Sequence, residues 1–197
     1  WLLENRRDDL DIERAVLRYA AKATELFREL PGVLSVTEQA RLSVLRSQLI
    51  EQHVPEQLAS RIASLDALHC ALDLVDVARA SRLAVGYVAR AYFDLGERIG
   101  LTWIKEQIER LSVDGHWQAV ARGTLRDNLY ALQRKITGAV LARKGRDAAA
   151  RVSQWIEQHS TGVDWLKGLV VDLRTGSAPD FATLSVALQA VRRLAQD

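Results

Sequence analysis

The chain has 197 residues, 48% hydrophobic and 26% charged, the balance of a folded protein with enough apolar surface for a core. Its formal net charge of +2 creates no strong field to gather nucleic acid or an anionic membrane. The single cysteine, Cys70, excludes an internal disulfide and fits a reducing, cytoplasmic setting.

No apolar run approaches the roughly 18 residues of a membrane span. The opening Trp1-Leu2-Leu3-Glu4-Asn5-Arg6-Arg7 lacks the layout of a signal peptide. The absence of methionine leaves two readings: a piece of a longer protein, which is the expectation, or a sequence with residues missing.

In chain order, periodicity predicts a first helix from about Asp11 to Leu30, with Ile12, Val16, Tyr19, Ala23, Phe27 and Leu30 on one stripe. Pro31-Gly32 is expected to stop it. Ser35 with Glu38 forms a capping-box pattern, and Leu42, Leu45 and Leu49 continue a second helix. A short helix is expected near Pro55, and another over about Asp66–Ala80 with Leu68, Ala71, Leu72 and Val75 to one side. The next covers Leu83 to Ile99 and stops at Gly100; Trp103, Ile104 and Ile108 mark a shorter one.

Asp114-Gly115 signals a turn. The longest pattern starts at His116 or Trp117, with Trp117, Ala121, Leu125, Leu129, Leu132, Ile136 and Val140 along one drifting face. Arg143-Lys144-Gly145-Arg146 ends it. Three further helices are marked by Val152/Trp155/Ile156, by Leu166/Leu169/Val170/Leu173 and by Phe181/Leu184/Leu188/Val191. The fold class is therefore all-α, a bundle-like domain of about eight to ten helices with no sheet. Residues 1–197 read as a single domain, with a candidate subdomain hinge at 143–147.

The glycines contain no Gly-x-Gly and no loop ending in Gly-Lys-Ser/Thr, so nothing here cradles a nucleotide phosphate. Asp66, His69, Asp73 and Asp76 fall within about 80° of one another on a helix. That is half of a helical-bundle metal site without a second half, and a solvated face explains it better. Cys70 lies beside His69 in sequence, yet their side chains diverge by about 100°, so Cys70 reads as a small core residue. His53, His116 and His159 sit at helix ends. Arg122, Arg126, Arg134, Lys135, Arg143, Lys144 and Arg146 scatter around the long helix and form no continuous basic stripe. No catalytic, cofactor-binding or metal-binding residues are assigned. Trp103, Trp117, Trp155 and Trp165 are expected in the core or at helix seams, with Trp117 buried; Trp1 lies outside any pattern.

One segment, residues 76–90, resembles the helix-turn-helix of repressors and supplies the alternative function, a DNA-binding regulatory domain. It departs from that pattern where Arg82 replaces the turn glycine, where Ala84 replaces the capping Ser or Thr, and where Tyr87 and Tyr92 crowd the second helix.

A stronger likeness runs nearly end to end. It is carried by Leu72-Asp73-Leu74-Val75-Asp76-Val77-Ala78, by Tyr92-Phe93-Asp94-Leu95-Gly96-Glu97-Arg98-Ile99-Gly100-Leu101 and by His116-Trp117-Gln118-Ala119-Val120-Ala121-Arg122. It continues in Leu125-Arg126-Asp127-Asn128-Leu129-Tyr130 and in the tail Leu184-Ser185-Val186-Ala187-Leu188. With Trp1-Leu2-Leu3 and Asn5-Arg6-Arg7, these resemble the C-terminal helical region of the large bacterial NAD-dependent glutamate dehydrogenases. The resemblance implies a parent enzyme that oxidatively deaminates L-glutamate to 2-oxoglutarate and ammonia with reduction of NAD. It further implies upstream catalytic domains of the same chain as partners, a homo-oligomeric parent, and a non-catalytic structural or regulatory role for this region. No cofactor in the region itself, no membrane and no nucleic acid are expected.

Overall fold

A computed structural model describes residues 12–145 and 147–196. Among the described residues there are ten α-helices and no strand, as the periodicity predicts. They are α1 Ile12–Val33, α2 Val36–Glu51, α3 Glu56–Leu72, α4 Leu74–Ser81, α5 Val85–Arg98, α6 Leu101–Arg110, α7 His116–Leu141, α8 Ala148–Gln158, α9 Ser160–Thr175 and α10 Phe181–Leu194. Two compact units divide between Arg90 and Ala91, within α5.

In the first unit, α1 and α2 both pack on α3. The reason lies in α3's composition. Ala59, Ala63, Ala67, Cys70 and Ala71 form its buried side, and small side chains let neighbouring helices approach closely. Leu68 and Leu72, expected inward, are only half-buried. From α1, Tyr19, Leu26, Leu30 and Val33 are buried. The Tyr19 hydroxyl donates to Asp76 Oδ2 at 2.9 Å, tying α1 to α4 across 57 residues. Ile12 and Val16 lie on the same predicted stripe, but their side chains, the start at Asp11 and Trp1 fall outside what is described.

Pro31 does not stop α1. The helix carries it internally and runs to Val33. Proline removes one backbone donor, and the carbonyls left at the helix end find a partner in α2. The Gln39 side-chain amide donates to the Pro31 carbonyl at 3.1 Å and to the Leu34 carbonyl at 3.0 Å. The Ser35 hydroxyl accepts from the Glu38 amide at 3.3 Å and caps α2, as its sequence pattern predicts.

The two helices expected near Pro55 and from Asp66 are one helix, α3, and the true break is at Asp73. α4 then ends on Arg82, whose φ of 56° is left-handed. The Leu83 amide closes that end by donating to the Ala78 carbonyl at 3.1 Å.

In the second unit α7 is the spine. α6, α8 and α10 pack on it, α10 also meets α6, and α9 lies against α8 and α10. Ile104, Ile108, Leu129, Ile136, Val140, Val152, Trp155, Leu166, Leu184 and Val191 fill its interior. Each such large aliphatic or aromatic side chain contributes about 1.5–3 kcal/mol by leaving water. Gly100 separates α5 from α6 at φ 87°, a conformation that favours glycine, and so ends the helix where the sequence places the stop. Asp147 caps α8 by accepting from the Ala150 amide at 2.8 Å. The Arg151 guanidinium donates to the Leu141 carbonyl at 2.6 Å, at the electronegative end of α7.

Candidate functional site

The residues singled out for chemistry are dispersed by the fold. Asp66 is exposed on α3, His69 is half-buried one turn on, Asp73 occupies the break, and Asp76 accepts the Tyr19 hydroxyl. Among the described residues no group of three or more His, Cys, Asp or Glu side chains is placed to hold a metal ion. Cys70 is buried in the small-residue stripe of α3, the core position expected of it. His53 lies in the turn after α2, and His116 opens α7. His159 stands between α8 and α9, where its ring stacks on Trp155 at 4.4 Å and Nδ1 lies 2.8 Å from the Trp155 carbonyl.

The helix-turn-helix likeness has a physical counterpart in α4, the left-handed Arg82 and α5. A recognition helix needs a solvated face to lay on base edges. Here Val85, Val88, Ala89, Ala91, Tyr92, Phe93 and Leu95 are buried, leaving Arg90 and Glu97 as the exposed side chains of α5.

The tryptophans divide. Trp155 is buried as expected. Trp103 is half-buried with the Arg174 guanidinium 5.3 Å from its ring centre, and exposed Trp165 has Arg193 at 6.0 Å. Trp117 is a correction: it is 80% exposed. The predicted face of α7 is right from Leu125 onward, but residues 114–120 are exposed. Trp117, Ala121 and Leu125 of α7 instead form one wall of an apolar groove of about 410 Å³, with Phe181 and Ser185 of α10 opposite.

Two other concavities are basic. One, about 330 Å³, lies in the first unit with Lys22, Arg79 and Arg82 around Val75, Ala78 and Val85. Lys22 is already paired with Glu25 at 2.6 Å. The other, about 540 Å³, lies at the end of α7 between Arg143, Lys144 and Gln154. Neither brings an acid, a base and a nucleophile together. The strongest contact features of the surface are apolar: Trp117 with its groove, and Leu58 and Leu65 on α3, which are 49% and 59% exposed. Those two leucines escape a reading by periodicity because the eye assigns leucine to the core side, while this helix buries its alanines.

Among the described residues no helix is long and apolar enough to cross a membrane. A family model described as "Glutamate dehydrogenase, C-terminal" matches residues 1–193. The chain is 33% identical over 198 residues to the NAD-specific glutamate dehydrogenase of Pseudomonas aeruginosa, covering 100% of this chain and 12% of that protein. It is 32% identical over 203 residues to the enzyme of the same name from Halomonas elongata, again 100% against 12%. The Mycobacterium tuberculosis relative, also named NAD-specific glutamate dehydrogenase, is 27% identical over 196 residues, 98% against 12%. The chain thus spans 12% of the length of these curated relatives.

Proposed function

Since the chain belongs to the glutamate dehydrogenase C-terminal family, we propose that it is a non-catalytic helical region of an NAD-dependent glutamate dehydrogenase, one that packs against the catalytic domains of the same polypeptide. In this reading the whole enzyme works in the cytoplasm, oxidatively deaminates L-glutamate to 2-oxoglutarate and ammonia, and reduces NAD. The region's own part is to present packing surfaces and to support a homo-oligomer.

The observation that carries this reading is the division of labour among side chains. Two interior or part-buried polar side chains tie helix to helix, Gln133 to Tyr92 and Tyr19 to Asp76. Large apolar groups are left at the surface at Trp117, Leu58 and Leu65. Exposed apolar patches of this kind mark protein contacts more often than reaction sites. Calorimetric titration of NAD into the purified chain tests it: no binding heat is expected, and micromolar affinity would overturn it.

A further inference from the structure

The side of α3 turned away from its alanine stripe has an order of its own. Leu58, Ile62, Leu65, His69 and Leu72 recur at alternating steps of four and three residues. On a helix of 3.6 residues per turn they lie within an arc of about 80°. That is the heptad seam by which one helix receives another. Leu58 and Leu65 are 49% and 59% exposed, and Ile62, His69 and Leu72 between and beyond them are half-buried, so each seam position keeps surface to offer a partner.

We propose that this seam pairs with the same seam of a second copy of the chain, the two α3 helices running parallel and in register. Two features select that occupant. The aliphatic positions put Leu58, Leu65 and Leu72 at d and β-branched Ile62 at a, the choice that favours parallel two-stranded pairing. The seam is flanked by exposed Arg61 on one side and exposed Asp66 on the other. They are five residues apart and diverge by about 140° on their own helix, so they do not meet within it. In a parallel, in-register pair, a g residue faces the e′ residue five places further along the partner. Arg61 then meets Asp66 of the second copy, and the two-fold axis makes the contact twice.

α3 has 17 residues, about 25 Å and two and a half heptads. Pairing this short is weak alone and is held by the full-length polypeptide, the context in which it is to be tested. The inference rests on the reading of a supporting region only in taking the partner as another copy. NAD binding by the chain would sink that reading without touching the cross-links below, so the two failures are distinguishable.

The experiment is disulfide cross-linking in the full-length polypeptide, scored by intermolecular dimer over the unsubstituted background. Leu65→Cys and Leu58→Cys are both expected to link to themselves, and Gln57→Cys, outside the seam, is not. Arg61→Glu should lower the Leu65→Cys dimer yield about tenfold by turning two attractions into repulsions, and adding Asp66→Arg should restore it. Linking at Leu65→Cys without Leu58→Cys means an antiparallel pair and overturns the register. Neither linking above Gln57→Cys, capture of another part of the same polypeptide, or no recovery in the charge swap overturns the pairing.

Discussion

The side-chain amide of Gln133 on α7 donates to the backbone carbonyl of Tyr92 on α5 at 2.9 Å, with both ends buried. Gln133 reaches that carbonyl because residue 96 is glycine. A β-carbon at Gly96 would stand 2.5 Å from Gln133 Nε2. The Thr137 hydroxyl bonds within α7, donating to the backbone carbonyl of Gln133 at 2.8 Å. A buried polar group that loses its partner costs more than the bond contributed, which gives the contact its leverage.

Gly96→Ala therefore acts through Gln133. The substitution is expected to destabilise by about 1–3 kcal/mol in urea denaturation, despite alanine's better helix propensity. In the double variant Gly96→Ala with Gln133→Ala the clash is gone, and its cost should fall well below the sum of the singles. Additive costs would show that the two side chains do not compete for the same space.

Arg82 carries a side chain in a left-handed conformation that costs non-glycine residues about 1–2 kcal/mol. Arg82→Gly should raise stability by about 0.5–1 kcal/mol, allowing for the greater freedom of glycine in the unfolded chain. A loss of stability on thermal unfolding would mean that the guanidinium holds the turn.

Trp117 and Trp155 give opposite expectations from the same residue type. Trp155→Ala removes a core ring stacked on His159 and should cost about 3–5 kcal/mol. Trp117→Ala removes an exposed one and should stay within about 1 kcal/mol in the purified chain. If the groove beside Trp117 docks another domain, the same change in the full-length polypeptide should cost more than in the chain alone.

Asp180 supplies a pH dependence. Its carboxylate accepts from the Thr183 amide at 2.8 Å and from the Thr183 hydroxyl at 2.9 Å, and the Asp180 amide donates to the Thr183 hydroxyl at 2.9 Å, which closes a capping box on α10. The backbone bond from Thr183, then the side-chain bond, hold its pKa below the usual value. A carboxylate depressed by folding contributes stability that is whole above its unfolded pKa and is lost as pH falls through the folded one. Asp180→Asn keeps a capping acceptor without that titration. Circular dichroism from pH 5 downward should show a shallower acid loss in the variant; superimposable profiles would mean that the cap does not contribute.

Much of the fold is legible in local pattern because burial repeats at the helical period. Leu129, Ile136 and Val140 announce the covered face of α7, and Gly100 and Ser35 announce a stop and a start. What escapes is set by partners distant in sequence. Pro31 lies inside the last turn of α1, where Gln39, eight residues on, satisfies the carbonyls at the helix end. Trp117 is exposed because it stands at the rim of a groove that Phe181 and Ser185 of α10 line without closing over it. On α3, hydrophobicity alone favours Leu68 and Leu72 for the core, but close helix packing selects Ala59, Ala63 and Ala67 instead. The contact surfaces were hidden for the same reason: Leu58 and Leu65 look like core until the alanines are seen to hold that place.

Glutamate-dependent reduction of NAD, followed by absorbance for the full-length polypeptide and for the purified 197-residue chain side by side, tests the account most directly. The chain, folded by its helical circular dichroism, should produce no NADH while the full-length polypeptide turns over. Turnover by the chain alone would contradict it.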